Sequence, residues 1–261
     1  MALTAEGTAL TEANRMAQLS AAARAVLLSK ALWDRLDVAD LDRSMLSWMP
    51  AQLTALRALY GVSQAATREY ITDYRLAELG DATGPFVAPA FDDRVYAQAM
   101  LLAGPARVKA LIGKGMAPDE AHRKAFVKFS GIVRRQVLSG GRMAIDATTK
   151  EDRRAIGWRR VSDGSPCTFC AMLVARGPIY ASAQRAETVA GTGLEYHGHC
   201  GCTAEIMYGE WKPTEAEQRY VDEYDRAAKE ADEAGEPRTQ ETVLWRMRAN
   251  GDFNDSPKKT T

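Results

Sequence analysis

The sequence offers no segment that reads as a membrane anchor or an export signal. Its first residues, MALTAEGTAL, lack a basic start followed by an apolar run. The longest apolar stretches fall far short of the roughly 20 residues that span a bilayer. A soluble, intracellular protein without membrane contact is expected. Net charge is missing too: 34 Lys and Arg stand against 34 Asp and Glu. The whole-chain balance therefore makes no case for generic binding to nucleic acid or acidic surfaces. Histidine is scarce, with three in the chain and only His122 outside the cysteine region. There is no G-x-S-x-G and no H-E-x-x-H, so no catalytic set of a serine or zinc protease can be assembled from motifs. Internal repeats and low-complexity blocks are absent. The four cysteines all fall between Cys167 and Cys202, too local a pattern for disulfides that would staple a chain of 261 residues.

What remains is mostly helical periodicity. Leu10 to Leu36 repeats apolar residues every three or four positions, at Met16, Leu19, Ala23, Val26 and Leu27. Asp37 or Asp40 can cap a second helix carrying Leu41, Met45, Trp48, Leu53, Leu56 and Tyr60, with Pro50 marking a kink or a division. A further helical pattern runs from Ser63 to Leu79 and stops at Gly80. The breakers between Asp81 and Pro89 predict a linker or long loop. Helices are then expected over Asp93–Leu102, Pro105–Lys114 and Pro118–Ser139, the last ended by Gly140-Gly141.

From Ile156 the pattern changes to short mixed segments. Gly157 to Ser162 alternates aromatic or branched residues with charged ones and reads as a strand. Ala171–Arg176 predicts a helical turn or two, and Ile179-Tyr180 and Thr203–Tyr208 short strands. None can make a core unaided, so this part needs a staple. Trp158, Phe169 and Trp211 are expected to pack it. Beyond Trp211 a helix follows, with Pro213 at its first turn, and Asp252–Thr261 reads as frayed. The expected class is mainly α: an elongated N-terminal helical bundle (1–80), a second helical block (81–150), a small α+β zinc-stapled module (151–211), and an acidic C-terminal helix and tail (212–261).

The zero net charge hides a dipolar chain. Between Arg123 and Arg160 there are eleven basic and three acidic residues, and between Glu210 and Glu241 eleven acidic and five basic. The basic stretch is either a solvated face or an anion-facing surface that meets packaged DNA or an acidic protein.

The chemistry is concentrated in Cys167-Thr168-Phe169-Cys170 and His197-Gly198-His199-Cys200-Gly201-Cys202. Two cysteines two residues apart form a knuckle whose backbone N–H groups turn toward sulfur, and a second pair closes a tetrahedron around zinc. Gly198 and Gly201 are expected to let the second segment bend, and Pro166 to stiffen the approach to the first. Cys167, Cys170, His197, Cys200 and Cys202 are the candidate ligands, with Cys167, Cys170 and Cys200 joined by either Cys202 or His197. The surplus of ligands favours a closed, structural site. A redox C-x2-C lacks a surrounding βαβ pattern. A metal-finger nuclease using His197 or His199 lacks the acidic residue usual before its histidine, because Tyr196 stands there. His122 reads as a surface residue.

Gly157-Trp158 through Val161, the C-x2-C followed by Ala171-Met172-Leu173, and the closing H-x2-C-x-C together resemble the Mu F-like minor head proteins of tailed bacteriophages. Gly198 stands where that family's pattern has proline. The phrasing around Pro166-Cys167 and Tyr196-His197 is most similar to actinobacteriophage members often labelled capsid maturation protease. The resemblance covers Ile156 to Tyr208. It implies a virion component in the capsid interior near the portal, present in the host cytoplasm during assembly. The same resemblance implies a role in head morphogenesis or DNA delivery, with the portal as partner and the scaffold or major capsid protein as further ones; a capsid maturation protease is the alternative.

Overall fold

A computed structural model describes residues 3–178 and 198–256. The predicted strand at Ile179-Tyr180 lies outside them. The described residues are mainly helical, with one two-stranded antiparallel sheet. None of their helices is long and apolar enough to cross a membrane.

Helix α1 (Ala5–Trp33) is capped by Thr4, whose hydroxyl accepts from Gly7 N–H at 2.9 Å. Helix α2 (Leu41–Leu79) is capped by Asp40 and stops at Gly80, whose φ of 67° places it in the left-handed region that glycine tolerates. Pro50 lies within α2 and does not divide it. It is exposed, so its ring disturbs no core contact, although it forgoes one hydrogen bond inside the helix. Helices α3 (Asp93–Ala103) and α4 (Pro105–Gly113) then lead to α5 (Pro118–Glu151).

Helix α5 runs straight through Gly140-Gly141, where a stop was predicted. The pair marks a crossing instead. A Cβ at Gly140 would stand 2.7 Å from the Tyr60 carbonyl oxygen, and Gly141 presses on Thr67 and Gln18. Gly141 N–H donates to Ser63 Oγ at 2.8 Å, and Ser63 Oγ donates to Gln18 Oε1 at 2.6 Å. A polar knot thus ties α1, α2 and α5 together, because only glycine lets the α5 backbone come so near.

Strand β1 (Gly157–Val161) pairs antiparallel with β2 (Thr203–Met207), Arg159 opposite Glu205. Period-2 alternation sends Arg159 to one face and Trp158 with Arg160 to the other. Helix α6 (Thr168–Ala175) packs on β1, and α7 (Glu215–Glu233) and α8 (Gln240–Asn250) pack on α6 and on each other. Thr214 and Glu217 form a capping box that starts α7 just after Pro213.

Two apolar clusters result. One joins Trp33, Trp48, Leu56, Phe129 and Val133 among α1, α2 and α5. The other gathers Tyr70, Ile145, Trp158, Met172, Tyr220 and Phe253 around the sheet. Residues 251–256 are packed rather than frayed, for Phe253 is only 9% exposed.

Candidate metal centre

Cys167 is the N-cap of α6 and Cys170 sits in its first turn. The Cys170 N–H points to Cys167 Sγ at 3.5 Å, the N–H-to-sulfur contact that the C-x2-C spacing predicts. Cys200 and Cys202 arrive on the segment that becomes β2. The Sγ atoms of Cys170, Cys200 and Cys202 all lie within 4.8 Å of one another, with Cys170 and Cys200 at 3.4 Å. All three are buried, Cys167 packs against them half-buried, and all four are free thiols. His197 lies outside the described residues.

The sulfurs of Cys170 and Cys200, and then burial, push the Cys202 thiol well above its usual range. Cys167 is held below its range by its contact with Cys170 and the Cys170 N–H, against burial. Such crowding of soft donors is what a metal ion relieves, since it ligates the deprotonated form. The donor set therefore fits: three buried cysteines from two distant segments are placed to hold a metal ion.

Several residues that motif reasoning passed over build this site. Arg142, on α5 and 3% exposed, donates from Nε to the Cys202 carbonyl and from Nη2 to the Cys200 carbonyl, both at 3.0 Å. Arg160, fully buried on β1, directs Nη1 to Cys170 Sγ at 3.3 Å. Asp255 accepts from Thr168 N–H and Oγ1 at 2.7 Å and so anchors the first turn of α6. Asn254 N–H reaches the Pro166 carbonyl at 3.4 Å. Periodicity could not reveal these contacts. The one available signal was a carboxylate, Asp255, with no helix of its own to cap.

The bend before Cys200 is made differently from the expectation. His199, not Gly201, carries the positive φ, at 68°. Its exposed ring places Nε2 3.1 Å from the Val127 carbonyl oxygen on α5. Gly201 is needed for closeness: Asp163 and Arg134 crowd the place where its Cβ would stand, and its N–H donates to Asp163 Oδ2 at 3.1 Å. His122 is not a free surface residue either. It stacks on Trp33 with ring centroids 5.1 Å apart, and burial lowers its basicity despite a hydrogen bond with the Trp33 backbone.

The basic stretch divides. Arg142, Arg159 and Arg160 are buried, whereas Arg123, Lys124, Lys128, Lys150, Arg153 and Arg154 are exposed. Arg159 bridges Glu205 and Glu217, each at 2.6 Å, and Glu205 also accepts from Thr11 at 2.7 Å. Burial opposes ionisation of Glu217, but Arg159 and the Thr214 N–H outweigh it and hold this carboxyl below its usual range. On the other side of the metal centre, Cys167 forms part of the wall of a cavity of about 920 Å³, together with Tyr96, Arg135, Arg142, Phe169 and Arg248.

A cysteine cluster inside a mainly helical protein, with a short sheet clamped between helices, defines the class, and sequence comparison gives the family. The chain belongs to the VG15 protein family, which it matches over residues 5–231. That span includes all the cysteines and the sheet. The Gene 15 protein of Mycobacterium phage D29 is 29% identical over 148 residues, 45% of this chain and 54% of that protein. The chain thus spans about half the length of this curated relative. Family and relative together set it among phage proteins. No solved structure matches.

Proposed function

We propose that the protein is a minor head protein of a tailed phage, which binds the portal inside the capsid during head assembly, and that its cysteine cluster holds a structural zinc ion. The single observation that carries this reading is the convergence of Cys170 with Cys200 and Cys202. These residues lie in the two segments whose spacing resembles the Mu F-like pattern. Membership of a phage family supports the same context.

Cys170, Cys200 and Cys202 would hold the ion with one of Cys167 and His197. Zinc bound there supplies a redox-inert cross-link between the start of α6 and the start of β2. Arg142 and Asp255 hold the two ligand-bearing segments in place through backbone groups. The helices then present surface to the portal and to the scaffold or major capsid protein. Arg123, Lys124 and Lys128, exposed on α5, would meet packaged DNA.

Co-expression with the portal encoded by the same phage tests the reading. A complex that survives moderate salt, with about one zinc per chain by elemental mass spectrometry, is the expected result. No complex and no metal would overturn it. The capsid maturation protease reading separates in the same experiment, because a protease would shorten the co-expressed major capsid or scaffold protein.

A further inference from the structure

We infer that the cavity beside Cys167 is a docking site for a short acidic and apolar peptide segment of a partner protein, read by the guanidinium of Arg135 and the amide of Gln136. The inference rests on neither the zinc nor the portal reading.

The cavity measures about 920 Å³, and α3, α5, α6 and α8 all contribute to its wall. That size is near the top of the range for ligand pockets, about 300–1,000 Å³, and leaves room for several side chains. Val95, Ala99, Met143, Phe169 and Leu244 make much of the wall apolar. Val95 is 56% exposed, so this apolar surface begins at the mouth and continues inward.

The polar groups of the wall are engaged, with two exceptions. Asp255 pairs with Arg248 at 3.0 Å. Asp92 caps α3 and accepts from the Arg94 and Val95 N–H groups, each at 3.0 Å. Arg142 holds the carbonyls of Cys200 and Cys202. Arg135, half-buried, has no hydrogen bond or ion pair among the described residues. Gln136 is 2% exposed, and neither its Nε2 nor its Oε1 has a partner among the described residues. A buried amide left in this state is costly.

A peptide answers both deficits. Its acidic side chain gives Arg135 a carboxylate, and its backbone offers the donor and the acceptor that Gln136 lacks. Its apolar side chains cover the wall. A fatty acid brings a carboxylate and an apolar chain but no donor for Gln136 Oε1. A nucleic-acid base needs an open ring to stack on. Tyr96 already packs against Phe91 and Tyr60, with centroids 4.4 and 5.8 Å away, and the Arg160 guanidinium lies over Phe169 at 6.0 Å.

The test is selection of a displayed library of random short peptides on the immobilised full chain. Sequences that combine Asp or Glu with large apolar residues should be enriched. In fluorescence anisotropy, synthetic versions should bind Arg135→Glu about 10- to 100-fold more weakly than the parent. Gln136→Leu should bind them about 2- to 10-fold more weakly. The same variant should keep or raise the melting temperature, because an apolar side chain replaces an unpaired amide, so its weaker binding would not come from a poorer fold. No enrichment, enrichment of basic sequences, or acidic peptides that bind Arg135→Glu as well as the parent would overturn the inference. Binding of laurate or of a labelled single-stranded DNA oligonucleotide, with no peptide selected, would overturn it in favour of that occupant. If Gln136→Leu does not fold, the half-buried Arg135→Glu still decides.

Discussion

Replacing Arg159 by methionine should cost more stability than any exposed ion pair in this protein, and the cost should depend on pH. Arg159 is 4% exposed, and it lies between Glu205 at 1% and Glu217 at 6%. Methionine fills much of the same volume but leaves two carboxylates facing each other without a cation. Breaking a buried ion pair by removing one partner costs about 3–5 kcal/mol, against a total stability of about 5–15 kcal/mol for a domain. At about 2–4 °C per kcal/mol for a chain of this size, the melting temperature should drop by roughly 6–20 °C. In the parent, the Glu217 carboxyl titrates below its unfolded value. Its contribution is therefore complete above about pH 4.3 and is lost as pH falls through the folded value. In Arg159→Met, burial without the cation makes the Glu217 carboxylate bind protons more readily than in the unfolded chain. The variant therefore regains ground as pH falls, and the gap to the parent narrows. Urea denaturation followed by far-UV circular dichroism at neutral and mildly acidic pH measures the gap directly. A loss under about 1 kcal/mol, or a loss that does not change with pH, would refute the reasoning.

Three further outcomes are expected. Gly140→Ala should destabilise the protein in thermal melts, because its Cβ meets the Tyr60 carbonyl oxygen; helix propensity alone predicts a gain of about 1 kcal/mol, so a raised melting temperature would contradict the crossing. Cys200→Ser should lower both bound metal and melting temperature, and a chelator that strips the parent should bring it to the level of the variant. Asp255→Ala removes the acceptor for Thr168 N–H and Oγ1; it should cost about 1 kcal/mol, as for a lost helix cap, and weaken metal retention, whereas Asp252→Ala, at an exposed position, should do neither.

The amino-acid pattern revealed the helices well, because apolar residues recurring at helical spacing report burial one turn at a time. It revealed the cysteine pairs because ligand spacing is a local property. Strand β1 was legible from its alternation, yet the meaning of its charges was not: Arg159 and Arg160 looked solvated and are among the most buried side chains. Their partners, Glu217 and Cys170, are fixed by tertiary packing. Gly140-Gly141 was misread because a glycine pair suits a helix stop and a tight helix crossing equally, and only Tyr60, Ser63 and Thr67 on α2 settle which. The tail after α8 reads as frayed for want of periodicity, but its described residues are held, Asn254 and Asp255 by contacts about ninety residues away in sequence and Phe253 by packing on Tyr220, while residues 257–261 lie outside the described ones.

That tail carries a consequence for biosynthesis. Ser165 and Asn254, joined through their side chains, are 89 positions apart, and Asp255 braces the turn that holds Cys167 and Cys170. A ribosome makes both cysteine pairs well before it makes Asp255. During translation the thiols can meet while the turn beneath them is still unbraced. The final lock falls into place only after α8 has emerged, so premature termination after α7 would release a chain with all its cysteines and without the clasp that holds them in order.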